Sequence, residues 1–396
     1  MARRKKRINI ALIGQGFMGR THSNAWTQVR RFFDPPVEPV MHTVFGQEGE
    51  TPERFADVWG WRNAVTDWKS LVASDEIDLV DIVTPNFAHA PVAKAALAAR
   101  KAVLCEKPLA GSLKDAKEMA DAAKKARVKN FVGFNYRRCP AVALAHRLVA
   151  QGKLGDIRHV RAQYLQDWAD ESVPLMWRFD KKLAGSGAHG DLNAHIVDMT
   201  RFVTGQEITE VTGAIAHTFI KERKLMSGVA GGGISAGVKS SAKKGKVTVD
   251  DTVLFLARFS GGAVASFEAA RQATGNKNRN GWEINGTKGS IRFNFERMNE
   301  LEYFDATAPA ETQGWTTILA TEGEHPYEPA WWPPGHVVGY EHGFTNQAYD
   351  VLLALAGKKP TVPLVTFADA YQTQRILEAA LKSAKDKAPV KVSTVK

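Results

Sequence analysis

Short apolar runs alternate with amphipathic stretches through the first third of the chain. Residues 8–13 (INIALI) read as a strand, and after Gly14–Gly19 a helical pattern carries through Arg20 to about Arg31. A turn-rich piece at Asp34-Pro35-Pro36 leads to a second strand ending at Phe45, then to a helix through Phe55 to Val58. Ile77 to Val83 (IDLVDIV) reads as a buried strand that stops at Thr84-Pro85-Asn86. An alanine-rich helix from about Pro91 to Ala99, a strand at 102–105, a helix over 112–127 and a strand over 131–134 complete the series. Strands and helices in alternation imply a parallel sheet with helices on both faces.

After about Tyr136 the texture changes. Residues 156–168, 208–219, 247–259 and 262–269 alternate as long strands do in an antiparallel sheet with one face covered. Residues 227–246 (SGVAGGGISAGVKSSAKKGK) are too rich in Gly, Ser and Lys to bury much and predict a mobile hairpin tip. A helix over roughly 367–386 comes last, and no internal repeat is visible. The expected fold is α/β, with residues 1–135 and 136–396 as its two domains.

The length of 396 residues suits two domains of ordinary size, and 44% hydrophobic with 24% charged residues suits a globular chain with a real core. No apolar run approaches the roughly 20 residues that span a bilayer, so no membrane partner is expected. The net charge of +11 would suggest nucleic acid, but most of it is terminal. Arg3, Arg4, Lys5, Lys6 and Arg7 supply five charges and the last sixteen residues a net four, leaving +2 between. No nucleic-acid partner is expected from that distribution. Arg3-Arg4 is not followed by a long apolar stretch, which argues against an export signal. Cys105 and Cys139 are the only cysteines and form no CxxC pair, so neither a disulfide framework nor a structural metal site is expected. A cytoplasmic setting fits.

Gly14-x-Gly16-x-x-Gly19 lies between a predicted strand and a predicted helix, the context in which such glycines bind a dinucleotide. The first permits the tight turn, the second lets backbone approach a pyrophosphate, and the third allows close helix–strand packing. The phosphate then meets free N–H groups at the positive end of the helix dipole. A glycine-rich turn without a ligand is the plainer alternative. The second strand ends Val44-Phe45-Gly46-Gln47, with Glu48 slightly late and no arginine before Arg54. The missing cation favours NAD and leaves NADP as the alternative.

Ligands of open α/β sheets collect at the carboxyl ends of the strands. Two polar clusters fall there, Thr84-Pro85-Asn86 with His89, and Glu106-Lys107-Pro108. Lys107 taken alone is a solvated side chain; beside a cofactor it could stabilise a developing alkoxide or relay a proton. The third cluster is Gly185-Ser186-Gly187-Ala188-His189-Gly190-Asp191-Leu192-Asn193-Ala194-His195. From Asp191 onward it reads as a helix, which puts Asp191 and His195 at i,i+4 on one face. A carboxylate so placed can orient the imidazole as a general base; an N-cap aspartate with an incidental histidine is the alternative.

These motifs in this order resemble the Gfo/Idh/MocA family of glucose–fructose oxidoreductase, inositol dehydrogenase and relatives. The resemblance rests on Gly14-x-Gly16-x-x-Gly19-Arg20-x-His22, Thr84-Pro85-Asn86-x-x-His89, Glu106-Lys107-Pro108, Gly133-Phe134-Asn135-Tyr136-Arg137 and Asp191-x-x-x-His195-x-x-Asp198. Gln166-Asp167-Trp168, Trp177-Arg178, Glu268-x-x-Arg271, Trp331-Trp332-Pro333 and Gly343-Phe344 resemble one sugar-oxidising branch. The resemblance implies an N-terminal Rossmann domain binding NAD(P) through Gly14, Gly16, Phe17, Met18, Gly19, Thr84, Pro85, Asn86, His89, Glu106, Lys107 and Asn135. It also implies a C-terminal α+β domain on a large open, mostly antiparallel sheet, which binds substrate and builds a homodimer or homotetramer. Lys107, Asp191 and His195 are the implied catalytic group: His195 takes the hydroxyl proton, Asp191 supports the site, and Lys107 contacts the reacting oxygen. No metal is implied. Asn193 stands where many relatives have glycine, and His189 replaces a more usual apolar residue; both are expected to reshape the substrate pocket.

A sugar presents hydroxyl edges and CH faces, so its pocket needs polar groups beside flat apolar ones. Tyr136, Gln166, Trp168 and Arg178, with Lys107, Asp191 and His195, meet that description, although any one aromatic is more readily a core residue. Arg178 and Arg271 would also suit a carboxylate, leaving neutral and acidic substrates both open. The expected activity is an NAD(P)-dependent dehydrogenase acting on a secondary hydroxyl of a sugar, anhydrosugar or cyclitol. Two rivals share the fold: an NAD-using glycosidase that works by oxidation and elimination, and a non-catalytic dinucleotide-sensing regulator.

Overall fold

The structure is a computed structural model that describes residues 5–47, 49–226 and 240–396. Two compact units account for the chain, the first comprising the described residues up to Arg138 together with Gly339–Tyr371. It contains β1 (Arg7–Ile13), α1 (Phe17–Phe32), β2 (Glu38–Phe45), α2 (Pro52–Trp59), β3 (Asn63–Val65), α3 (Trp68–Ala73), β4 (Leu79–Ile82), α4 (His89–Ala98), β5 (Ala102–Cys105), α5 (Leu113–Ala126) and β6 (Asn130–Val132). The six strands are all parallel in the order β3-β2-β1-β4-β5-β6, the Rossmann order, which reverses between β1 and β4. Ile10, Leu12, Ile13, Leu79, Ile82 and Val103 are wholly buried, as expected of strands covered on both faces.

Local differences from the sequence reading have local causes. Helix α1 begins at Phe17, inside the glycine motif, because Gly16 takes the extended N-cap conformation and the helix starts at once. Helix α4 begins at His89, two residues before Pro91, a position a first turn tolerates since its N–H has no helical partner. The pair β3–α3 is too short and too exposed to show in the hydrophobic pattern.

The helix Tyr340–Leu355 also belongs to this unit and packs along α1. Phe17 stacks on Tyr340 at 6.1 Å and Phe33 on Tyr349 at 4.4 Å, while Phe344, Ala348, Val351 and Leu352 join the apolar core around Trp26. Arg138, wholly buried, meets Asp350 at 3.4 Å and donates to the Pro363 carbonyl at 3.0 Å, tying this return segment to the end of the sheet.

The second unit comprises the described residues of 139–338 and Gln372–Lys396. It carries α6 (Pro140–Ala150), β7 (Ile157–Leu165), α7 (Lys181–Ala184), α8 (Ala194–Thr204), β8 (Ile208–His217), β9 (Glu222–Met226), β10 (Ser240–Lys246), β11 (Thr252–Phe259), β12 (Val264–Ala270), β13 (Arg279–Gly286), β14 (Gly289–Asn294), β15 (Glu300–Asp305), β16 (Trp315–Leu319) and β17 (Val390–Lys391). Nine of these strands form one sheet, in the order β16-β15-β14-β13-β7-β12-β11-β8-β17. Its pairings are antiparallel apart from β7 with β12.

Along β11, Val253, Phe255, Ala257 and Phe259 are buried while Leu254, Leu256 and Arg258 face out, the alternation of a sheet covered on one side. Helix α8 is buried at every position. The expected mobile tip at 227–246 divides. Residues 227–239 lie outside the described residues, but 240–246 form a strand, β10, paired antiparallel with β9, because Lys and Ser still supply the backbone donors and acceptors a ladder needs. No helix among the described residues is long and apolar enough to cross a membrane.

Candidate active site

In the first unit the glycine turn leaves β1 and enters α1 at the point where the strand order reverses. Gly14 has φ +118°, and a Cβ there would press within 3.2 Å of the Val83 carbonyl. A Cβ on Gly19 would overlap the Gly14 carbonyl, so this glycine lets helix and strand close together. Gly16 is different, since a Cβ there would meet nothing within 4 Å. Its small size serves no packing inside the protein; what it keeps clear is the approach to the helix N-terminus, which has neither an acidic residue in its first turn nor a side-chain cap. Phe17 faces Tyr340 and Met18 packs on the core, so these two residues contribute backbone N–H groups to the turn and use their side chains to anchor it.

Two polar atoms beside this turn are buried without a hydrogen-bond partner, Gln15 Nε2 and Thr84 Oγ1. The Gln15 amide lies over Gly46, where a Cβ would overlap it. Orphaned donors at the strand ends, a cleared helix N-terminus and a glycine-lined floor fit a dinucleotide. Glu48 lies outside the described residues.

Pro85 opens the short 3-10 turn Asn86–Ala88 after β4. His89 is wholly buried, with Nε2 3.0 Å from the Thr84 carbonyl and Nδ1 3.0 Å from that of Pro108. It lies between the loops after β4 and β5, and burial, the largest influence on it, holds its imidazole below the ordinary value, so the neutral ring donates to one of these two carbonyls at a time. Glu106 is likewise engaged within the protein, its carboxylate bonded to His22 and to the Lys107 amide. The side chain of Lys107 is half-buried. Asn135 and Tyr136 are buried in the 3-10 turn Asn135–Arg138.

In the second unit, the loop 185–188 enters a wide π-type turn, His189–Asn193, before α8. Such turns recur at functional sites because they re-aim side chains within a helix. Asp250 holds the entry: its Oδ1 accepts the Gly187 N–H at 2.9 Å and its Oδ2 that of His189 at 2.8 Å. Gly187 has to be glycine here, since a Cβ would overlap the Asp250 carbonyl.

Asp191 Oδ2 lies 3.7 Å from Arg271 Nη1 and 3.9 Å from Arg178 Nη1. Arg178 stacks on Trp177 at 4.5 Å, and buried Arg271 sits over both Trp168 and Phe179. His195 is buried with its ring 5.8 Å from that of Tyr164. A short network fixes the neighbouring polar groups. Trp168 Nε1 donates to Gln166 Oε1 at 2.8 Å, and Gln166 Nε2 and the Tyr164 hydroxyl both donate to Asn278 Oδ1, at 2.7 and 2.8 Å. The result is a set of rigid polar edges and flat rings around a carboxylate and an imidazole, which can hold a polyhydroxylated molecule and accept a proton from it.

His189 and Asn193 are both wholly buried. His189 Nε2 donates to the Leu377 carbonyl at 2.8 Å and Nδ1 accepts from Asn193 Nδ2 at 2.9 Å, which fixes one neutral tautomer. Burial holds this imidazole below its ordinary value. Asn193 also donates to Val253 in β11 at 3.1 Å, so the pair anchors the π-type turn from behind.

Sequence reasoning missed Gln15, Tyr164, Asp250 and Asn278. Tyr164 was legible in principle, two residues before Gln166 and hence on the same strand face. Asn278 carries no signal, because its partners lie more than a hundred residues away.

Residues 8–134 match the family described as an oxidoreductase family with an NAD-binding Rossmann fold, and residues 142–292 match the GFO/IDH/MocA C-terminal domain. A levoglucosan dehydrogenase from Pseudarthrobacter phenanthrenivorans is 42% identical over 382 residues, spanning 95% of this chain and 96% of that protein. A solved structure titled levoglucosan dehydrogenase, complex with NADH and levoglucosan, superposes with a TM-score of 0.90 at 40% identity, covering 98% of this chain and 100% of the other. An oxidoreductase domain protein from Kribbella flavida is 49% identical with a TM-score of 0.90, covering 98% and 99%.

Proposed function

Because this chain belongs to the Gfo/Idh/MocA family of NAD-binding oxidoreductases, we propose that it oxidises a secondary hydroxyl of a sugar, most specifically an anhydrosugar, with NAD as the acceptor. The observation that carries this reading is the likeness, over nearly all of the chain, to an enzyme solved with NADH and levoglucosan. When bound, NAD supplies the hydride acceptor at its nicotinamide ring. The Gly14–Gly19 backbone and the N-terminus of α1 hold the pyrophosphate. The amide of Gln15 lies over Gly46, just past β2, and the sequence after β2 carries no cation before Arg54, which suits an unphosphorylated ribose.

The residues divide the remaining work. His195 accepts the proton of the hydroxyl being oxidised. Asp191, between two guanidinium groups, presents a fixed anion to the substrate and its base. The Lys107 ammonium contacts the reacting oxygen and stabilises the negative charge that develops there. Gln166 and Trp168, locked through Asn278, and Tyr136 and Arg178 supply the hydrogen-bonding edges and flat faces for the ring and its other hydroxyls.

The outer face of the large sheet supports the expected homodimer or homotetramer. Leu254 stands opposite Ile215 on adjacent strands, with Leu256 and Val264 nearby, all exposed. Cys105 and Cys139, both buried and unpaired, suit a cytoplasmic location.

A panel of levoglucosan, other anhydrosugars, pyranoses and inositols with NAD and NADP, followed by nicotinamide absorbance, tests the proposal. Reduced NAD with an anhydrosugar supports it. Cleavage of an aryl glycoside without net NADH would replace it with the glycosidase reading. In His195→Ala, kcat should fall about 10²- to 10⁴-fold, the usual worth of a general base, with NADH affinity unchanged.

A further inference from the structure

The buried face of α1 carries His22, 2% exposed, whose imidazole lies between carboxylates from two different strands. Nδ1 is 3.0 Å from both oxygens of Asp81 in β4, and Nε2 is 3.1 Å from Glu106 Oε1 just past β5. Both ring nitrogens face carboxylate oxygens, an arrangement that the doubly protonated ring satisfies when both carboxylates are ionised. Burial works against that charge, yet Asp81 and Glu106 outweigh it and push His22 up to about 10. The two flanking carboxylates thus favour the imidazolium form.

The groups around the ring are themselves fixed. Trp26 Nε1 donates to Asp81 Oδ2 at 2.7 Å, and the second Glu106 oxygen accepts the backbone N–H of Lys107 at 3.2 Å. Position 133 is glycine, where a Cβ would overlap Glu106 Oε1 and come within 2.9 Å of Cδ. An unbroken series therefore runs from Trp26 through Asp81, His22 and Glu106 to the amide of Lys107. A buried ionic cluster of this kind is weak as a source of stability, since apolar residues of equal volume often serve as well or better. What apolar residues could not supply is a carboxylate of set orientation behind the lysine.

We infer that His22 is a positioning residue for Lys107: its imidazolium fixes the Glu106 carboxylate, and Glu106 fixes the backbone from which the Lys107 side chain departs. The inference rests on the reading that Lys107 contacts the reacting oxygen. Misplacing a catalytic group by about 1 Å can cost on the order of a hundredfold in rate, and His22 would act on rate in that way without touching substrate or cofactor.

The test compares His22→Asn, Gly133→Ala, Lys107→Ala and the double variant His22→Asn/Lys107→Ala, with active sites counted by NADH titration. His22→Asn removes the bridge; Gly133→Ala displaces the Glu106 carboxylate from the other side and serves should His22→Asn fail to fold. Each should lower kcat by about ten- to a hundredfold per NADH-binding site, with the NADH Kd within about threefold of wild type. Adding His22→Asn to Lys107→Ala should cost no more than about twofold further, because the two substitutions remove one function. Wild-type kcat in both His22→Asn and Gly133→Ala, or full multiplicative loss in the double variant, overturns the inference. Wild-type turnover in Lys107→Ala would instead overturn the role of Lys107, and this inference with it.

Discussion

Replacing Glu328 with glutamine should leave stability at pH 5 nearly unchanged and raise it at pH 8. Glu328 follows Tyr327, a residue in the left-handed region (φ +71°), and opens a short 3-10 turn whose backbone bonds run from the Glu328 N–H to the His325 carbonyl and from the Trp331 N–H to the Glu328 carbonyl. Its side chain is 2% exposed, and neither carboxylate oxygen has a hydrogen-bond partner. Burial accordingly pushes this carboxyl from 4.5 to about 7.

Between those two values the folded protein keeps a proton that the unfolded chain has released. Stability therefore falls as pH rises from about 4.5 to about 7, and the loss is complete near pH 8. At about 1.4 kcal/mol per pK unit the full loss is about 3 kcal/mol. Glutamine mimics the neutral acid at every pH, so Glu328→Gln should recover most of that amount above pH 8. For a unit of this size the gain is a rise in Tm of roughly 6–12 °C. Urea unfolding followed by tryptophan fluorescence at pH 5, 6, 7 and 8 would measure it. An equal difference between the two proteins at pH 5 and pH 8, or a less stable variant at pH 8, would refute the claim that an unpaired buried carboxylate is the cause.

Four other outcomes follow from the site geometry. Gly16→Ala should fold with an unchanged Tm, since nothing lies within 4 Å of its new methyl group, yet weaken NADH binding at least about tenfold by fluorescence titration. Gly19→Ala should lower Tm by several degrees, because its methyl group overlaps the Gly14 carbonyl. Asp250→Asn can accept only one of the N–H groups of Gly187 and His189, which should cost about 1–3 kcal/mol in urea unfolding and raise the sugar KM through the loosened Asp191 turn. His189→Leu leaves the Leu377 carbonyl and the Asn193 amide each short of a partner and should destabilise by a similar amount, with NADH affinity intact by the same titration.

Much of the molecule was legible in the residue order because its causes are local. A run buried on both faces has to be apolar throughout, so the parallel strands declared themselves. A turn from strand to helix at the end of β1 needs φ above zero at one position and no side chain at another, so three glycines at set spacing marked that turn. Lys107, Asp191 and His195, the group proposed for catalysis, drew notice in the sequence as ionisable side chains at a strand end and within four residues of each other; the structure places Asp191 in the π-type turn and His195 in α8. The later strands β13 to β16 went unread because their alternation is broken by Gly, Asn and charged residues, which the ladder tolerates once neighbours are in place.

Tertiary structure alone decided which groups meet. His22 finds Asp81 and Glu106 across 59 and 84 residues, Asp250 reaches back 63 residues to cap the Gly187 turn, and the helix Tyr340–Leu355 returns to cover α1. Periodicity in a sequence records which side of an element is buried, but not what it is buried against. That depends on strand order and on how far apart the connections let two elements lie, and it is there that an ordinary histidine becomes a fixed cation and an ordinary glutamate an unpaired acid.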